Sequence, residues 1–185
     1  MPTNYSEMAL ENTILAYLRD KQGYEEGTTN DYVKDYALDT ERVKRFLLST
    51  QKKKVENTAC FCNAISERRF FTELAKQLAN RGVTDVLRKG FRYISELFDM
   101  YYPLPSELNP TAQKLYRKNI FCITKELAYS KENDNRIDLM VSLNGLPLIT
   151  MELKNHYTGQ TVQNLCSTTT KGRATIRCCL HSREV

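Results

Sequence analysis

No apolar run in this 185-residue chain approaches the length needed to cross a bilayer. Its opening stretch, MPTNYSEMAL, also lacks the basic-then-apolar pattern of a secretion signal. Both absences point to the cytoplasm and to no membrane partner. No two cysteines are spaced C-x₂-C, and neither His156 nor His181 stands at ligand spacing to a cysteine pair, so the common zinc sites are excluded. The six cysteines read as reduced thiols, with Cys60, Cys62 and Cys122 in or near a core because their neighbours are apolar. Two histidines give no convincing Ser-His-Asp or Cys-His arrangement. A G-x-x-x-x-G-K-[ST] loop is missing, and no ATP-binding loop is visible. Internal repeats and low-complexity tracts are absent too.

What is present supports a folded domain of ordinary size. Hydrophobic residues make up 41% and charged residues 26%, enough for a core and too apolar for wholesale disorder. A net charge of +5 is compatible with a polyanionic partner and does not require one. Apolar periodicity predicts helices over 6–21, over 41–48 capped by Thr40, and from Ser66 to a stop at Gly82. Residues 24–36 read as polar and turn-rich. Lys52-Lys53-Lys54 reads as a solvated loop, and 86–93 and 98–102 as extended. Asn109-Pro110 opens a short helix to about Lys118. Three strands follow, over 121–129, 136–143 and 146–154. The expectation is an α/β (α+β) fold in which a helical part, 1–118, feeds a mixed core sheet, 119–155.

The last two strands carry the chemistry. In NRIDLMVSLNGLPLITMELKN, β-formers alternate along a hairpin that nevertheless holds Asp138, Glu152 and Lys154. Glu152 and Lys154 are two apart and share a strand face. Two carboxylates brought together repel unless a cation separates them, and their hard oxygens suit Mg²⁺, which needs only one or two from the protein. A neighbouring ammonium can orient a water and offset charge developing on a phosphate. The same residues also fit a solvent-facing ion-pair surface. Register separates the two readings. A strict two-residue Asn144-Gly145 turn sets Asp138 opposite Met151, so that Glu152 points away. A three-residue loop, Asn144-Gly145-Leu146, or a bulge near Pro147 sets Asp138 opposite Glu152 and makes Met140, Ser142, Leu148 and Thr150 the floor of a cleft.

This hairpin resembles that of the PD-(D/E)xK nuclease superfamily, and specifically the N-terminal domain of type I restriction enzyme R (motor) subunits. The similarity runs upstream through FDMYYPLPSELNPTAQKLYRKNIFCITKELAYS and to the opening helix, SEMALENTILAYLRDKQGY. The resemblance implies a restriction-endonuclease-like sheet and a Mg²⁺-dependent DNA endonuclease domain over 1–164. It makes Asp138 and Glu152 metal ligands, with Lys154 beside the attacking water. Glu7 or Glu11 on the first helix and Gln163 after the hairpin would give support. The partners implied are double-stranded DNA and the modification and specificity subunits, with ATP used only by a motor region beyond Val185. A non-catalytic remnant that at most binds DNA is the other reading.

Two departures stand out. The literal "PD" is absent, since Ile137 precedes Asp138. The family's glutamine-tyrosine motif has no tyrosine here, because 165–185 contains no Phe, Tyr or Trp, shows no amphipathic period and holds three of the cysteines. That stretch reads either as out-of-frame sequence, expected to pack poorly, or as a genuine short tail.

Overall fold

The computed structural model describes residues 7–106, 108–130, 135–153 and 175–178. A five-stranded sheet is ordered β1-β4-β5-β6-β7, from β1 (Glu25–Gly27), β4 (Phe121–Ala128), β5 (Arg136–Leu143), β6 (Leu146–Glu152) and β7 (Thr175–Cys178). β1 runs parallel to β4 and the remaining neighbours are antiparallel, which makes the sheet mixed. A separate two-stranded hairpin joins β2 (Phe91–Tyr93) to β3 (Glu96–Phe98). The helices are α1 (Glu7–Gln22), α2 (Thr40–Thr50), α3 (Lys52–Thr58), α4 (Ala64–Arg81), α5 (Val83–Lys89) and α6 (Pro110–Tyr116). None of them is long and apolar enough to cross a membrane. The fold is α+β, with helices concentrated before the sheet.

Two cores hold these layers together. Leu15 of α1 packs with Ile123, Leu139, Val141, Met151 and Leu153 on one sheet face. Those strand residues are the alternate positions of β4, β5 and β6, as a period of two requires. The larger core gathers Phe46 and Leu47 of α2, Phe70, Phe71 and Leu74 of α4, and Phe91 and Phe98 of the small hairpin. Leu143 and Leu146 reach into it from the β5–β6 turn. Full burial of such side chains stabilises by about 1.5–3 kcal/mol each.

The turn itself is fixed with unusual completeness. Asn144 (φ +53°) and Gly145 (φ +84°) take the left-handed pair that a two-residue hairpin turn needs. Asn144 is fully buried. Its Oδ1 accepts from Ile120 N at 2.7 Å, and its Nδ2 donates to Met100 O at 2.9 Å and Asn119 Oδ1 at 3.1 Å. Gly145 lies against the start of α2, donating no side chain and accepting Asp39 N–H through its carbonyl at 3.0 Å. A Cβ there would collide with the Asp39 carbonyl oxygen and approach Val43 N to 2.9 Å.

Several local expectations are corrected. The lysine run at 52–54 belongs to α3 rather than a loop: Val55 is buried, and Lys54 donates to Leu97 O at 2.6 Å. Of the stretch 86–93 read as extended, 91–93 form β2, but 86–89 belong to helix α5, because Val83, Val86 and Leu87 fall at i, i+3, i+4 and are bracketed by Gly82 and Gly90. The polar stretch 24–36 supplies β1, which enters the core sheet because Gly27 lets it close on β4; a Cβ at Gly27 would come within 2.5 Å of Thr124 Oγ1. Asp39, rather than Thr40, is the N-cap of α2, and α4 begins before Ser66, behind an Asn63 cap. Cys60 and Cys122 are buried free thiols, whereas Cys62 is exposed. Most of 165–185 lies outside the described residues, but β7 pairs Thr175 to Glu152 and Cys178 to Ile149, a strand the sequence did not announce.

Candidate active site

From its turn the β5–β6 ladder pairs Leu143 with Leu146 and Ser142 with Pro147. It then passes over Leu148 and resumes with Val141–Ile149, Met140–Thr150 and Leu139–Met151. Continued by one position, this register faces Asp138 with Glu152, the last residue of β6. The bulge is the alternative that forms, beside Pro147, which has no N–H to give a ladder. Thr150 and Met140 line a cavity of about 550 Å³ with Pro147, Ile137, Leu127 and Tyr36, whereas Ser142 and Leu148, expected on the same floor, do not line it, Leu148 packing against the larger core instead.

Asp138 also stands at an interruption in the neighbouring ladder. β4 pairs Lys125 with Leu139 and Leu127 with Ile137, while the Glu126–Asp138 position between them is skipped. Glu126 takes φ +48° in the middle of its strand, which breaks the alternation locally. The Asp138 carboxylate turns to accept the N–H of Leu153 on Oδ2 at 2.5 Å. One oxygen is thereby tied to the backbone next to Glu152, which holds the acid at the end of β6. Both acids are half-buried.

α1 reaches the same end of the sheet. Tyr24, just past its C-terminus, stacks on Phe121 at the start of β4, with ring centroids 5.2 Å apart. Lys125, near the end of β4, meets Glu11 Oε2 at 3.2 Å and Asn12 Oδ1 at 3.0 Å. The helix therefore runs back along β4, and its first turns overlie the Asp138 end. Glu11 is 8% exposed and ion-paired to Lys125. Glu7 opens α1, and its side chain lies outside the described residues, as do Lys154 and Gln163. Sequence reasoning passed over Lys125 and Glu126, although two adjacent charges inside the apolar run FCITKELA were a visible signal.

Among the described residues no three His, Cys, Asp or Glu side chains converge to hold a metal ion. The described donor set is thus the opposed carboxylate pair. That set fits Mg²⁺, a hard ion that keeps several waters and takes one or two carboxylates, better than zinc or calcium, which need fuller protein coordination.

A family model described as Type I restriction enzyme R protein N terminus matches residues 4–171. The chain belongs to that family. No curated protein and no solved structure matches it. The family match takes in α1, the whole β4–β6 unit and the first residues beyond 164, where the sequence had suggested a break. In this R-protein N terminus, then, the hairpin that resembled a nuclease core is the centre of the sheet, and its tip is packed in the larger core.

Proposed function

We propose that this R-protein N terminus is a Mg²⁺-dependent endonuclease domain. It hydrolyses phosphodiester bonds of double-stranded DNA within a type I restriction complex that includes modification and specificity subunits. The observation that carries the reading is the bulge at Leu148, which turns Glu152 toward Asp138 instead of away from it. Asp138 and Glu152 would hold the ion. When bound, Mg²⁺ supplies a Lewis acid at the phosphate oxygens. Asp138 orients its carboxylate through the Leu153 N–H. Glu152 stands at the strand end from which Lys154 follows in sequence, and the Lys154 ammonium would position the attacking water and offset charge on the phosphate. Glu11 acts from a distance, by fixing Lys125 at the same end of the sheet. No ATP-binding loop occurs in the sequence, so ATP would act through the motor region of the R subunit. The isolated chain is expected to cut plain duplex weakly.

Calorimetric titration of Mn²⁺ or Mg²⁺ into the wild type and into Asp138→Ala and Glu152→Ala tests the site directly. Binding should vanish in both variants, and any metal-dependent cutting of linear duplex should vanish also in Lys154→Ala. An unchanged isotherm in Asp138→Ala would remove the nuclease reading and leave a non-catalytic DNA-binding module.

A further inference from the structure

Several arginines are held in ion pairs, while Arg88 and Arg117 lie exposed elsewhere with none among the described residues. Arg19, Arg42, Arg45, Arg81 and Arg136 each pair with a carboxylate. Arg68 and Arg69 on α4 and Arg92 on β2 are exposed, have no ion pair among the described residues, and line one groove. Its nearby acid, Glu73, is engaged by Lys76 at 3.9 Å and by Gln77 at 3.2 Å. Two large aliphatic side chains complete the groove: Ile65 and Ile94, 68% and 70% exposed. Ile94 occupies the β2–β3 turn at φ +54°, a conformation that penalises a β-branched residue and that turn chemistry normally assigns to Asn or Gly. So exposed a side chain returns almost no burial to the fold for that strain. Strain kept without a structural return points to contact with something outside the chain.

We propose that this groove, between the first turns of α4 and the β2–β3 hairpin, docks a protein segment that is acidic and carries aliphatic side chains. Three exposed guanidinium groups without an ion pair, against the single acid Glu73, call for carboxylates, and Arg with exposed aliphatic and aromatic surface, without lysine, is the composition of a protein interface centre. Tyr93 adds that aromatic edge, its ring resting on Phe70 at 5.1 Å. A groove that merely tracks phosphates needs cations and polar donors, and gains nothing from two exposed isoleucines. The groove is also distinct from the carboxylate pair. Ala75, Leu78 and Ala79 of α4 face the Met140–Thr150 cavity, whereas Arg68 lies about 15 Å further back along the helix from Leu78. The proposal therefore does not depend on the nuclease reading.

The test uses the isotope-labelled 185-residue chain. The probe is a synthetic amphipathic peptide with Glu and Leu at helical spacing. Separate arms use the same peptide with Lys for Glu, and a short DNA duplex. The acidic peptide should shift amides of 65–72 and 92–94 and no others. Arg68→Glu with Arg69→Glu should weaken it at least about tenfold, equivalent to about 1.4 kcal/mol. Ile94→Asn should weaken it similarly while leaving Tm unchanged or raised, because Asn tolerates positive φ. The proposal is overturned by absence of saturable peptide binding, by the duplex rather than the peptide shifting these amides, or by a fall in Tm of Ile94→Asn, which would make that side chain structural.

Discussion

The two ends of the β5–β6 hairpin are built on opposite terms. At the tip, Asn144 and Gly145 are enclosed by α2, by the start of β4 and by Met100, with every polar group of the Asn144 side chain engaged. At the other end, about 20 Å along the strands, Asp138 and Glu152 are half-buried, and the neighbouring ladder is interrupted beside them. The tip's interactions are redundant and internal; the open end sets its two acids at facing positions of the register, with one Asp138 oxygen tied to Leu153 N–H. A rigid element anchored at one end can thus hold two acidic side chains in register at the other, which is how precise sites are supported generally. The bulge at Leu148 lies between the two regions and converts the turn's register into the site's register.

The enclosed tip should be most sensitive at Gly145. Gly145→Ala should cost about 3–5 kcal/mol or prevent folding, through a backbone collision and a positive φ that Ala disfavours. Urea denaturation measures it, and a loss below about 1 kcal/mol would mean that α2 can retreat from the turn. Asn144→Ala should follow at about 2–4 kcal/mol, since it strands Ile120 N and Met100 O in a dry interior. The open end should behave oppositely. Asp138→Asn keeps an acceptor for Leu153 N–H and should change stability by less than about 1 kcal/mol, while abolishing divalent-metal binding. Thermal melts with and without Mn²⁺ check both halves: the wild type should gain Tm with metal and the variant should not.

How much of this contrast could be read in the sequence depended on length and period. β4, β5 and β6 were legible because alternation persists over seven or eight residues, and Asn144-Gly145 marked the turn. Parity left two routes open, a three-residue loop or a bulge near Pro147, and the fold takes the second. β1 was illegible: three residues, two of them Glu, pair with a strand nearly a hundred positions away, so nothing local records the contact. α5 was misread because the β-branched Val86 favours strands as a single residue, although Gly82 and Gly90 bracketing an i, i+3, i+4 set was the better signal. Of the site, Asp138 and Glu152 were visible as charges out of place. The Leu153 N–H that orients Asp138 was not, because backbone donors carry no residue signature. Arg42 was missed for a related reason, since its partners Glu25, Asp31 and Asp39 assemble only in the fold.

That Arg42 cluster gives the most pH-dependent effect. Arg42, with its side chain 12% exposed, meets Glu25 at 3.1 Å and Asp31 at 3.0 Å and also pairs with Asp39, so it ties β1 to the α2 start on which Gly145 rests. Burial pushes the Glu25 carboxyl up, but hydrogen bonds from Arg45 and Arg42 outweigh it and leave it below its ordinary value. Asp31 is likewise raised by burial and lowered further by Thr28 N–H and Arg42. A folded-state value below the unfolded one means stabilisation that is present above the ordinary carboxylate range and lost progressively as pH falls from that range through the lowered folded value. Arg42→Met removes the shared cation, so its penalty should be full at neutral pH, about 1–2 kcal/mol after allowing for the partly exposed acids. The gap between wild type and variant should then close as pH drops below about 4, where the carboxylates protonate in both. Urea midpoints measured across that range decide the matter: a gap that stays constant down to the acid transition would show that Arg42 acts through packing of its stem alone.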